Sequence, residues 1–343
     1  MLLLALETSC DETSAAVLKN GKEVLSNIVA TQTEFHQKYG GIVPEIASRK
    51  HIEVINPIIQ EALDKAKVKF KDLDAVAVTY GPGLVGSLLV GLCAAKAIAW
   101  AMKIPLIGVN HLEGHIYANF LVHSLPREES RGSSVPQFPF LCLIVSGGHT
   151  LIVLVKDHGK YETLGRTRDD AAGEAYDKVA RFLGLGFPGG PIIDKLAKEG
   201  DPHAVEFKRP MMEKEFGYDF SFSGIKTAVV NYASKQKVVS NKQLADIAAS
   251  FQQAVVETLV EKTIKAALKH KVKTIALAGG VSANSALRKH LSERGKGEGF
   301  KVIIPPLEYT TDNAAMIAAA AFFRFKNQQF SELNLKPVAS LKI

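Results

Sequence analysis

Two histidines four residues apart carry the clearest chemical signal in this chain: His111-Leu112-Glu113-Gly114-His115. On a helix, positions i and i+4 share a face, so the two imidazoles can grip one metal ion. The same spacing also fits two surface histidines with no ligand. A zinc-protease reading fails on spacing. HExxH needs Glu directly after the first His, where Leu112 stands, and the inverted motif needs Glu before the second, where Gly114 stands. Two ligands are too few, so a third must come from elsewhere. Asp312, in Thr310-Thr311-Asp312-Asn313 ahead of an alanine-rich helix, is the best candidate. An Asp there also reads as a helix N-cap, and the two roles are compatible.

Further acids and glycines stand where ligands could bind. Glu7, Asp11 and Glu12 cluster in the polar turn after the first apolar run. Three carboxylates repel phosphates unless a metal or a proton shuttle intervenes, which argues against simple ATP hydrolysis. Ser146-Gly147-Gly148-His149, at a strand end, offers small residues and backbone donors or else a tight hairpin turn. No G-x-S-x-G elbow surrounds that serine, which weighs against serine catalysis. Asp169, Asp170 and Glu174 open a helix and complement its dipole. Asp177 lies further in, with Lys178 and Arg181 at hand for a surface pair. Phe187-Pro188-Gly189-Gly190-Pro191 makes a glycine turn before the helix that holds Asp194.

The elements that must position these residues occur twice. Leu2–Leu6, Ser14–Leu18 and Lys22–Val29 read as strands, with a polar turn after the first and Asn20-Gly21 as the hairpin signal. Phe140–Val145, Thr150–Val155 and Lys160–Leu164 repeat the unit, with Ser146–His149 as the turn and His158-Gly159 as the hairpin. Each copy is followed by a buried strand, a glycine turn and a helix. These are Ala75–Thr79, Gly81–Gly86 and a helix from Ser87, then Thr274–Ala278, Gly279–Ser282 and a helix from about Asn284. Glycine lets backbone N–H groups approach a ligand, and a helix N-terminus favours an anion. The duplication predicts an α/β protein of two lobes with a nucleotide in the cleft, the architecture of actin, sugar kinases and Hsp70. The boundary is expected in 125–137, giving a first lobe over 1–130 and a second over 137–343. A final apolar helix, about Asp312–Phe325, closes back toward the first lobe.

Composition bounds the rest. With 343 residues, 47% hydrophobic and 22% charged, the chain reads as an ordinary globular protein of two domains. A net charge of +7 favours an anionic partner such as a nucleic acid or a nucleotide. Cys10, Cys93 and Cys142 are far apart and form no CxxC pair, which points to a reducing compartment and away from a cysteine zinc site. No signal peptide precedes the first strand and no apolar run is expected to span a membrane, so the expected location is cytoplasmic.

The motifs taken in order are similar to those of one family. Leu6-Glu7-Thr8-Ser9-Cys10-Asp11-Glu12-Thr13, Pro44-Glu45-Ile46-Ala47-Ser48-Arg49, Gly81-Pro82-Gly83-Leu84, His111-x-x-x-His115, Ser146-Gly147-Gly148-His149-Thr150, Gly173-Glu174-Ala175-Tyr176-Asp177, Phe220-Ser221-Phe222-Ser223-Gly224 and Gly279-Gly280-Val281-Ser282-Ala283-Asn284 resemble the bacterial TsaD family from Leu2 to about Ala320. The resemblance implies an actin-like ATPase (ASKHA) fold. It implies transfer of a threonylcarbamoyl group from threonylcarbamoyl-adenylate to N6 of the adenosine 3′ of the anticodon, in tRNAs reading codons that start with adenine. It implies one divalent metal, Fe or Zn, on His111, His115 and Asp312. Adenylate contacts are implied at Ile144, Val145, Ser146, Gly147, Gly148, Asp177, Gly190, Asp194 and Asn284, and TsaB-like and TsaE-like proteins as partners. Glu12 and Asp11 are the candidates for taking the N6 proton. Relatives often carry Cys-Thr-Asp-Asn where this chain has Thr310-Thr311-Asp312-Asn313, so Asp312 survives and any role for that cysteine does not.

Two other classes fit the fold alone. A sugar-kinase-like phosphotransferase sits poorly with the histidine pair and the acid-rich first turn. A nucleotide-gated scaffold needs neither feature.

Overall fold

The computed structural model describes residues 1–124, 135–236 and 240–343. Its contacts form two compact units: Met1–Val135 with Pro305–Ile343, and Pro136–Ile304. Most of the stretch expected to hold the lobe boundary, 125–134, lies outside the described residues.

The first unit opens with β1 (Leu2–Glu7), β2 (Glu12–Lys19) and β3 (Glu23–Thr31), all antiparallel neighbours. Asn20 and Gly21 turn between β2 and β3 with φ of 53° and 73°, the left-handed backbone these two residues adopt most cheaply. A short α1 (Thr33–Gln37) and the long α2 (Pro44–Ala66, with Pro44 in its first turn) follow. Then come β4 (Ala75–Gly81), α3 (Val85–Met102), β5 (Leu106–Asn110) and α4 (His111–Tyr117). β4 joins β1 in parallel and β5 joins β4 in parallel, giving the order β3-β2-β1-β4-β5. Leu4, Leu6, Val17 and Val78 pack with Ile55, Ile59 and Leu63 of α2 and with Leu92 and Ala95 of α3.

By length and composition alone α3 is apolar enough to cross a membrane, with a mean hydropathy of 1.7, a test that core helices also pass. Here it packs on α2 and β4, and Lys96 within it donates to the Leu335 carbonyl at 2.6 Å.

The second unit repeats this topology: β6 (Phe140–Val145), β7 (Thr150–Asp157), β8 (Lys160–Arg166), α5 (Ala172–Phe182), α6 (Gly189–Ala197), α7 (Ser223–Lys235), α8 (Asn241–His270), β9 (Thr274–Ala278), α9 (Ser285–Gly297) and β10 (Lys301–Ile303). β6 pairs antiparallel with β7 and parallel with β9, as β1 does with β2 and β4. The sheet order β10-β9-β6-β7-β8 is that of the first sheet strand for strand. The duplication read from the sequence is therefore in the backbone. Central strands β6 and β9 are buried throughout, which is why they read as unbroken apolar runs.

The last helix among the described residues is α10 (Ala314–Lys326), which packs on β1, β2 and α4 of the first unit. Its alanines make this possible, because small side chains let a helix axis approach a sheet closely. Residues Ala314 to Ala321 are all buried.

Candidate functional site: a His-His-Asp metal centre

β5 runs straight into α4, so the strand end delivers His111 to the first helical position. Asn110 caps the helix, its side-chain oxygen accepting from Leu112 N at 2.9 Å. One turn later His115 falls on the same face, its ring centroid 4.6 Å from that of His111. Asp312 arrives from the loop ahead of α10. The cap of α10 is Asn313, whose Oδ1 accepts from Met316 N at 3.0 Å, so the N-cap role that competed for Asp312 belongs to its neighbour.

Asp312 Oδ1 lies 3.5 Å from His111 Nε2 and 3.2 Å from His115 Nε2. Two donors each about 2.1 Å from one ion at a tetrahedral angle are separated by about 3.4 Å. One ligand atom from each of the three residues lies within 4.8 Å of the others. His115 is fully buried, and among the described residues neither of its ring nitrogens has a hydrogen-bond partner of acceptable geometry. A buried imidazole facing a carboxylate oxygen fits a cation held between them.

The surroundings orient this set. Glu7, at the end of β1 and fully buried, accepts from His111 Nδ1 at 3.0 Å, which leaves Nε2 facing Asp312. Glu7 is held in turn by Thr79 Oγ1 at 2.6 Å and Ser9 N at 2.5 Å. Burial opposes charge on His111, but the Asp312 and Glu7 carboxylates outweigh it and push the imidazole up to about 9. Burial also opposes the Glu7 charge, and His111 holds that carboxyl below its usual range. On His115 burial prevails and the imidazole is pushed down. This field, which retains a proton on a buried imidazole, equally suits a divalent cation.

Asp11 ends the adjoining β1–β2 turn and Glu12 opens β2. Burial, then the charges of Asp11 and Asp312, push the Glu12 carboxyl well above the ordinary range, and Asp11 hydrogen-bonds to it. Cys10 is pushed up by the same three causes, which makes it a poor nucleophile.

The remaining predicted residues all lie in the second unit. Ile144 and Val145 end β6, and Ser146 closes the turn, its N–H donating to His149 O at 2.8 Å. Gly147 and Gly148 face open space. Gly279 crosses against Val145, where a Cβ would lie 2.4 Å from the carbonyl oxygen, so glycine is required. Asp177 does not simply pair with Lys178 or Arg181: its Oδ1 accepts from Gly189 N at 2.7 Å, next to Gly190 at the start of α6. Asp194 accepts from Ser285 Oγ at 2.9 Å, and Asn284 caps α9 by accepting from Leu287 N at 2.9 Å. These three residues thus converge on the starts of α6 and α9 in one unit. Asp169 precedes its helix instead of opening it, and accepts from Ser221 Oγ and Ser223 Oγ at 2.5 and 2.6 Å.

The sequence reading missed two partners. By sequence Glu7 is one acid of the first polar turn, and in the structure it meets His111 together with Thr79 and Ser9. Glu113 was only a spacing test, yet it is buried and accepts from Arg324 Nη2 at 2.6 Å. A carboxylate inside the histidine motif was the available signal for the second.

Comparison with known proteins shows the family. The TsaD family model, described as tRNA N6-adenosine threonylcarbamoyltransferase, matches residues 23–319. Curated proteins of that name are similar over the whole length. The one from Clostridioides difficile is 54% identical over 100% of this chain and 98% of its own, and one from Clostridium botulinum is 55% identical over 99% and 97%. Among solved structures, HypF from T. kodakarensis aligns with a TM-score of 0.62 at 14% identity, over 97% of this chain and 49% of that one. The activator of 2-hydroxyisocaproyl-CoA dehydratase from Clostridium difficile aligns at 0.52 and 14%, over 96% and 97%. At such identity these structures speak for the fold alone, which is the actin-like ATPase fold.

Proposed function

The chain belongs to the TsaD family of tRNA N6-adenosine threonylcarbamoyltransferases, and from that premise we propose that His111, His115 and Asp312 hold the one divalent metal, iron or zinc, that serves the transfer. As a family member it is a transferase acting on N6 of a tRNA adenosine. Our reading takes threonylcarbamoyl-adenylate as the donor and the adenosine 3′ of the anticodon, in tRNAs reading codons that start with adenine, as the acceptor. The observation that carries it is the convergence of two imidazole nitrogens and one carboxylate oxygen at the 3.2 and 3.5 Å spacing of ligands to a single ion.

When bound, the metal supplies Lewis acidity to a carbonyl or phosphate oxygen. The chain's own groups do the rest. Glu7 fixes the tautomer and ring plane of His111. Glu12, whose carboxyl burial and Asp11 push well above the ordinary range, takes the proton from N6 as the carbamoyl carbon is attacked. Asp11 holds Glu12 by its hydrogen bond. In the second unit, the strand end and turn Ile144, Val145, Ser146, Gly147 and Gly148, with Asp177, Gly190, Asp194 and Asn284, bind the adenylate. AMP leaves with its own phosphate charge, so no protein group need protonate it. The +7 net charge suits a tRNA backbone. TsaB-like and TsaE-like proteins are the proposed partners and the cytoplasm the proposed location.

The test is reconstitution with purified chain, TsaB-like and TsaE-like partners, ATP, threonylcarbamoyl-adenylate and unmodified tRNA, reading nucleosides by mass spectrometry. Threonylcarbamoyl-adenosine is expected with the native chain and not with His111→Ala. No product from the native chain, with partners proven active on a relative, would overturn the reading.

A further inference from the structure

We propose that Glu113 and Arg324, with Gly114, form a clamp that sets the distance between the histidine pair and Asp312. This rests on the metal reading above. α4 carries both histidines, and Asp312 directly precedes α10, so the site exists only while these helices keep one separation and one axial register. Their first contact is at Gly114, where a Cβ would lie 2.6 Å from Ile317 Cδ1 and 3.2 Å from Met316 Cγ of the first turn of α10. Glycine there permits the close approach. The second contact is at the other end of α10, where Arg324 Nη2 and Nε donate to Glu113 Oε2 at 2.6 and 3.2 Å.

Glu113 and Gly114 are consecutive and lie between His111 and His115, so both ends of α10 are referred to one turn of α4. The start of α10 is separately tied to the sheet, Ala314 N donating to Ser14 Oγ at 2.9 Å. That bond fixes Asp312 to β2; α4, carried by β5 and held at His111 by Glu7, is tied to α10 directly by the clamp. The Glu113 side chain is 3% exposed and that of Arg324 30%. Removing the arginine alone takes a cationic partner from a buried carboxylate, whereas replacing both members with neutral side chains of similar size removes the clamp without that imbalance.

The full chain is loaded with zinc, and release to an excess of chelator is timed for the native protein, Glu113→Gln/Arg324→Met, Gly114→Val and His111→Ala, alongside metal-free thermal unfolding of each. Both clamp variants should release zinc about 10- to 100-fold faster than native, as positioning shells around a metal do, while the double variant keeps its metal-free melting temperature. A merely structural pair would lower the melting temperature and leave release unchanged, and that overturns the proposal. If Gly114→Val does not fold, the double variant decides. Zinc held no better by the native chain than by His111→Ala overturns the metal reading and the clamp together. Tight native binding with native release from the double variant overturns the clamp alone.

Discussion

The Glu7 carboxylate accepts from His111 Nδ1 at 3.0 Å, and this contact decides which nitrogen of the histidine looks into the site. Glu7 ends β1 and His111 begins the helix after β5, so the pair joins two strands with β4 between them. Thr79, on that intervening β4, donates to the same carboxylate oxygen at 2.6 Å.

Glu7→Ala should therefore lower metal affinity by about 10- to 100-fold without removing a ligand. Competition with a chromogenic chelator measures this. Native affinity in the variant would show that the Glu7 contact does not orient the imidazole.

Loss of a ligand should be more severe than loss of its support. Asp312→Asn and His115→Ala should each carry substoichiometric metal by elemental analysis and yield no modified nucleoside. Chelator treatment of the native chain should have the same effect, reversed by added metal. Because Asn313 rather than Asp312 caps α10, Asp312→Asn should leave that cap intact, so any change in thermal unfolding of the metal-free chain reports the lost attraction to His111.

Asn284→Ala should show two effects that separate. Loss of the α9 cap should cost about 1 kcal/mol in urea unfolding. Adenylate affinity, measured by calorimetry, should fall as well if Asn284 contacts the ligand. Equal affinity in a destabilised variant would leave Asn284 a cap and nothing more.

Asp169 ties the 221–223 turn to the start of α5. Burial opposes its charge, but the hydroxyls of Ser221 and Ser223 and the Phe222 and Ser223 N–H groups outweigh it and hold the carboxyl below the ordinary value of 3.8. A depressed carboxyl stabilises the fold above its unfolded value, and the contribution is lost as pH falls through the folded value. Asp169→Ala should thus lower the urea midpoint at pH 7, and the gap from native should close only below the ordinary carboxylate range. A gap that persists unchanged in strong acid would mean the charge is not the source.

Much of the fold was legible because it is encoded locally. Asn20-Gly21 specifies a left-handed turn by its own backbone preferences, and unbroken apolar runs such as Phe140–Val145 mark central strands buried on both faces. The repeat of strands, turns and glycine loops then disclosed the duplication. The histidine pair was equally local, since helical geometry alone puts His111 and His115 on one face. What the sequence could not decide was who meets across the chain. Whether Asp312 capped a helix or faced the histidines turned on a single step of register, with Asn313 taking the cap. Glu7 looked like one acid among three until sheet order set it beside His111. Arg324 looked like a charge on a terminal helix until packing against Gly114 brought it to Glu113. Local preferences fix φ and ψ residue by residue; contacts between distant side chains depend on strand order and helix separation, which only the packed structure supplies.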